Sequence, residues 1–171
     1  VFSVVSVFSE NPSDQKRNSK MSSERTIRGA NFAGFHAGPK EGWSQFGLEP
    51  PAVPRPAKGK LFLREFLGSA GLEMSLNVVP PGKGIPFLHR HQENDEVYVV
   101  VGGRGQFLVD GEPINVEEGS VLRITPQGAR AWRNNSDEPF YFLCIQYRAD
   151  SVVQGGALDG RKAEGEPTWM K

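Results

Sequence analysis

Three side chains of the kinds that hold metal ions stand close together in the stretch PFLHRHQENDEVYVVVGG, residues 86–103. His89 and His91 are two residues apart, and Glu96 leads into an apolar run. On a strand, side chains at i and i+2 share a face, so the two imidazoles can converge on one point. Glu96 opens the next strand and can enter the same interior. Two neutral imidazoles and a carboxylate suit a borderline divalent metal such as Fe, Mn, Ni, Zn or Cu. The competing reading is a chance pair at a strand end, with Glu96 exposed. Against it, Glu96 begins an apolar strand, where a carboxylate without a partner is costly to bury. Glycines and prolines precede the histidines in PPGKGIP, and a double glycine closes the strand.

Short strands surround this stretch. KLFLREFLG and LEMSLNVVPPG precede it; EVYVVVGG, GQFLVDGEPINVEEG, SVLRITPQG, RAWRNN and PFYFLCIQY follow. Asp110-Gly111 between apolar runs is a two-residue hairpin signal. Turn residues recur at short intervals and no long helical period appears. The pattern predicts an all-β antiparallel barrel or sandwich.

The histidine stretch resembles the first motif of the cupin family. Gly82 or Gly84 stands for its first glycine, His89 and His91 for its His-x-His, Glu96 for its glutamate and Gly103 for its last glycine. The second cupin motif resembles GSVLRITPQGARAWRNN, with Gly119, then Pro126 and Gly128 after one extra residue, and Asn135 at the end. The resemblance covers roughly residues 60–148. It implies a double-stranded β-helix, or jelly-roll, barrel at residues 59–149 and a small-molecule ligand. It also implies a homodimer with arms or edge strands crossing between subunits.

The second motif departs from the family at position 131, where Ala131 stands in place of a histidine. That histidine usually completes a site of three histidines and one glutamate, and His36 lies far away in the arm. Three readings follow. In the first, His89, His91 and Glu96 bind a metal alone, with open positions for substrate, water or dioxygen and with partial occupancy. The chemistry would be of oxygenase or isomerase type. In the second, the metal is absent and the barrel is a binding or sensing pocket. Arg133, two residues after Ala131, would then face Glu96 and neutralise it, or clamp an anionic substrate. In the third, the site is a relic and the barrel serves assembly.

Other residues are weighed by the same alternation. If Glu96 faces inward, Tyr98 does too, either donating to a ligand or packing as wall. Phe87 is expected as an apolar wall residue on the His89 face. One of Gln146 and Tyr147 should face the cavity, which makes Gln146 a pocket candidate. Cys144 reads as a buried small residue rather than a nucleophile. Glu93 and Asp95 read as solvated loop residues, and Asn134 as a turn residue.

The totals exclude several classes. Twenty basic and twenty acidic residues balance among 171, and no basic stripe exists that could follow phosphates, so nucleic acid is not an expected partner. No apolar run approaches the ~20 residues of a membrane helix. One cysteine rules out an internal disulfide framework and fits a reducing, cytoplasmic compartment. Residues 1–20 lack a basic leader and a cleavage site, and read as a disordered tail or as an extension ahead of Met21. Residues 21–58, rich in Pro and Gly with scattered aromatics, read as an arm that packs on the domain or on a partner subunit. Residues 150–171 are polar and glycine-rich and are expected to be flexible.

Overall fold

The computed structural model describes residues 25–48, 57–152 and 155–170. The leader expected at residues 1–20 lies outside these. Twelve strands follow in chain order: β1 (Thr26–Arg28), β2 (Ala33–Phe35), β3 (Gly47–Leu48), β4 (Ala57–Lys58), β5 (Lys60–Phe62), β6 (Leu72–Val79), β7 (Asn94–Gly102), β8 (Arg104–Val109), β9 (Glu112–Glu117), β10 (Val121–Ile124), β11 (Arg130–Arg133) and β12 (Phe140–Arg148). A five-stranded sheet in the order β10-β7-β12-β6-β5 faces a three-stranded sheet, β11-β8-β9. Every strand pair is antiparallel.

Alternation along each strand sorts the side chains into two cores. Inward go Val79, Tyr98, Val100, Phe107, Val116, Ile124, Phe140, Phe142 and Cys144, the buried set between the two sheets. The aromatic members pack edge-on or tilted, with Tyr98 and Phe107 centroids 4.6 Å apart and Phe140 and Phe142 5.1 Å apart. Outward from the large sheet go Leu76, Val78 and Tyr141, which would otherwise meet water. The arm covers them. A 3-10 turn at Lys40–Gln45 buries Trp43, whose ring meets Tyr141 edge-on at 6.2 Å, and Phe46 is buried beside it. The arm aromatics Trp43 and Phe46 thus pack on this chain's own barrel, while Phe32 stays exposed.

One local reading is overturned and one is met. KLFLREFLG is not one strand: Arg64–Leu67 forms a single helical turn that ends on Gly68 in the left-handed region, φ 63°, a conformation glycine adopts at no steric cost. The hairpin at Asp110-Gly111 is as expected, with both residues at positive φ, 50° and 91°, joining β8 to β9.

Candidate metal centre

Glu96 is 2% exposed, and five groups converge on its carboxylate. The Tyr98 hydroxyl donates to Oε2 at 2.5 Å, and the Cys144 thiol donates to Oε1 at 3.4 Å. Arg130 Nε lies 3.0 Å from Oε2, and His91 Nε2 lies 3.0 Å from Oε1. His89 Nε2 is 4.0 Å from Oε2. One potential ligand atom from each of His89, His91 and Glu96 lies within 4.8 Å of the others.

The strands explain why these atoms meet. On β12, Cys144 lies directly across from Tyr98 and Gln146 directly across from Glu96, so all four share the inner face. Tyr147 pairs with Asp95 on the other face. The histidines do not sit on a regular strand. Residues 84–91 run beside β11 through two isolated bridges, Gly84 to Arg133 and His89 to Arg130. The His91 amide donates to Pro126 O at 3.3 Å. Gly84 is needed for that approach, because a Cβ there would come within 2.6 Å of Trp132 O.

The second motif needs a correction. Ala131 and Arg133 do not face the site. On β11 the inward residues are Arg130, which is 0% exposed, and Trp132, which packs against the inner core. Arg133 is on the outer face, and its Nε donates to Gln106 Oε1 at 3.0 Å. The motif spacing places the missing histidine one residue too late. A shift of one residue on a strand turns every side chain to the opposite face. Arg130 therefore occupies the inward position. The buried asparagine that follows is Asn134, not Asn135: its amide donates to Val79 O at 2.8 Å and Glu138 O at 2.7 Å.

Other expectations fall on both sides. Tyr98 is fully buried and its hydroxyl is committed to Glu96. Phe87 is not a wall residue: it is 61% exposed at the rim, its ring edge-on to His89 at 6.2 Å. The bend at residues 86–87 breaks the alternation that would have turned it inward. Asp95 is not solvated but 1% exposed, held by Arg123 through Nε at 2.9 Å and Nη2 at 2.7 Å. Glu93 remains exposed near Arg148. His36 is exposed in the arm and contributes no ligand atom to the trio.

Burial acts to raise the Glu96 pKa, but the Tyr98 hydroxyl, the charges of His91 and Arg130 and the Cys144 thiol together hold it below the usual carboxylate range. Burial pushes the Tyr98 hydroxyl and the Cys144 thiol up, so both stay protonated donors. Burial lowers His89, with Arg130 and His91 adding to that and Glu96 opposing it. A neutral His89 has a lone pair to offer a metal.

The donor set fits a divalent ion on one observation in particular. His91 Nε2 is buried and makes no hydrogen bond, although Glu96 Oε1 is 3.0 Å away. The two atoms lie side by side rather than in line, so once the imidazole nitrogen gives up its proton both can turn a lone pair to one cation. Arg130 works against the fit. Its Nε is near Glu96 Oε2 but misaligned for a hydrogen bond, and its Nη2 is buried without a partner. Its Nη1 donates to Gly128 O at 2.9 Å. A permanent charge thus stands beside the ion's position.

A cupin domain model matches residues 75–146. A crystal structure of a cupin protein from Bacteroides fragilis is 39% identical, with a TM-score of 0.59. The match covers 61% of this chain and 89% of that one. The chain belongs to the cupin family. Among curated relatives, an uncharacterised protein of Methanocaldococcus jannaschii is 32% identical over 79 residues, 45% of this chain and 62% of that protein. A glucose-6-phosphate isomerase of Pyrococcus abyssi is 38% identical over 102 residues, 53% of each chain. This cupin therefore spans only about half to three-fifths of the length of those relatives. No helix among its described residues is long and apolar enough to cross a membrane.

Sequence reasoning misses Arg130, which lies within the second motif and is recoverable by testing both registers of RAWR. Lys60, Ser75 and Asn77 line the same interior and carry no motif signal. Cys144 was expected to be buried, and it is, but its thiol serves Glu96.

Proposed function

We propose that this cupin binds a divalent metal of the Fe, Mn, Ni or Zn group through His89, His91 and Glu96 and acts there on a small molecule, by isomerase- or oxygenase-type chemistry. The observation that carries this reading is the 3.0 Å approach of His91 Nε2 to Glu96 Oε1 with no hydrogen bond between them. An ion would satisfy both atoms and His89 together. When bound, it would supply Lewis-acid polarisation of a substrate oxygen or a place for dioxygen. The chain's own residues set the conditions. Tyr98 and Cys144 fix the carboxylate, burial keeps His89 neutral, and the aromatic floor of Phe107, Trp132 and Phe142 excludes water from below. The likeness to glucose-6-phosphate isomerases supports testing sugar phosphates first among isomerase substrates.

One observation favours a second reading, a metal-free binding module. Arg130 already gives Glu96 a counter-charge. Elemental analysis of protein purified without an affinity-metal step decides between the two. Near-stoichiometric metal, lost in a His89→Ala, His91→Ala double variant, supports the first. No metal after incubation with Fe, Mn, Ni and Zn salts leaves the second.

A further inference from the structure

Lys60 is a cation that the trio does not use. It stands on edge strand β5, opposite Asn77, and its chain turns into the barrel. Its Nζ donates to Asn77 Oδ1 at 3.0 Å and to Ser75 Oγ at 3.5 Å, both neutral groups. The ammonium also lies over the Phe62 ring at 4.9 Å and the Trp132 ring at 6.0 Å. Among the described residues no carboxylate comes within ion-pairing distance of it. Trp132 links the two halves of the interior: the His89 ring meets it edge-on at 5.5 Å. Burial lowers the Lys60 pKa, while Cys144, Glu96 and Glu73 raise it from within the same interior.

Lys60 and Arg130 contribute two positive charges, and Glu96 and Glu73 two negative ones, Glu73 lying across from Gln146 on the inner face. A divalent ion at His89, His91 and Glu96 would leave the interior with an excess of positive charge. In a poorly solvated interior such an excess is costly, and a ligand that removes it is favoured over a neutral one. The donors are suited to oxygen anions, because ammonium and guanidinium groups make their strongest hydrogen bonds to carboxylate and phosphate oxygens. One such donor, Arg130 Nη2, is buried with no partner. Gln146, across from Glu96 on the inner face, adds a neutral amide to the same wall.

We propose that the barrel takes a small oxyanion, a carboxylate or a phosphate ester, held between Lys60 and Arg130 and beside His89, His91 and Glu96. The proposal rests on reading the barrel as a small-molecule site and adds the charge of the ligand.

The test is titration calorimetry at constant ionic strength with lactate, glucose 6-phosphate and uncharged glucose. Each is run on EDTA-dialysed full-length protein and on Mn-loaded protein. At least one anion should bind while glucose does not. Lactate alone would mark a carboxylate site, and glucose 6-phosphate alone a phosphate site. Lys60→Gln should weaken anion binding about ten-fold or more, the loss expected for one charge-assisted hydrogen bond, and Lys60→Arg should recover most of it. Equal behaviour of charged and uncharged probes would overturn the proposal. So would anion binding that Lys60→Gln leaves unchanged. Metal content is measured separately, so anion binding by metal-free protein would keep this proposal while the metal reading failed.

Discussion

Arg130 Nε lies 3.0 Å from Glu96 Oε2, and both side chains are almost wholly buried. The pair stands where two cupin motifs meet, with the glutamate from the first and the guanidinium at the inward position of the second. Breaking a buried ion pair by removing one partner typically costs about 3–5 kcal/mol, because the other charge is left uncompensated. The same guanidinium repels any cation brought to His89, His91 and Glu96. Arg130 thus stabilises the metal-free barrel and opposes the metal.

Substitution at Arg130 should separate these effects. Arg130→His should lower the melting temperature of EDTA-dialysed protein and raise its affinity for Zn or Mn, since it removes a charge and adds an imidazole on the inner face. Ala131→His should change neither, because Ala131 lies on the outer face of β11, across from Leu108. Melting curves with and without metal read both. Tighter metal binding by the Ala131→His protein would mean that β11 is in the opposite register.

Much of the barrel was legible because its strands obey a period of two and its turns carry Gly, Pro and Asp-Gly. Glu96, Tyr98, Cys144 and Gln146 follow one another inward across β7 and β12, as alternation requires. Legibility failed at β11, which is only four residues long. RAWR has large side chains on both faces, so no apolar stripe fixes which pair points in. Counting residues along the motif then chose the wrong pair, since the loop before β11 absorbs one residue. Phe87 failed for a related reason: residues 86–87 bend, and alternation holds only in extended chain. Lys60 could not have been found, because a lysine at a strand start reads as solvent-exposed.

Acid should destabilise the metal-free protein in two stages. The folded-state pKa of His89 is lowered, so below about pH 6.5 the unfolded chain takes up that proton more readily and stability falls. Glu96 is also lowered. Its contribution is fully present above its unfolded value of about 4.3, and is lost as pH falls through the folded value. Urea midpoints of EDTA-dialysed protein, measured from pH 8 to pH 3, should show both slopes. Glu96→Gln should be less stable at pH 7 and lack the lower one. A Glu96→Gln curve parallel to wild type below pH 4.5 would remove Glu96 as the source.

The arm should behave as part of the barrel. Trp43 is 8% exposed against Tyr141 on the outer face of the large sheet. Trp43→Ala should cost about 3–5 kcal/mol, the range for truncating a buried aromatic. In a Trp132→Phe, Trp169→Phe background, which leaves Trp43 as the one tryptophan, its fluorescence change should coincide with loss of the far-ultraviolet β signal. An early, separate fluorescence transition would mean that the arm undocks before the barrel unfolds.

Cys144 offers a check on the interior that needs no metal and no ligand. Its side chain is 3% exposed, burial holds the thiol protonated, and the thiol donates to Glu96 Oε1. Thiolate is the reactive form, so a buried thiol held protonated should be inert. Native protein at pH 8 should therefore react with a chromogenic disulfide reagent at least about a hundred-fold more slowly than the same protein in guanidinium, with one thiol titrated after unfolding. Glu96→Gln should speed the native reaction only if it loosens the barrel. Hydrogen exchange at β7 and β12 should then rise in parallel, because the thiol becomes reachable through the same opening that exposes those amides. A fast native reaction with unchanged exchange would instead place Cys144 on an open channel.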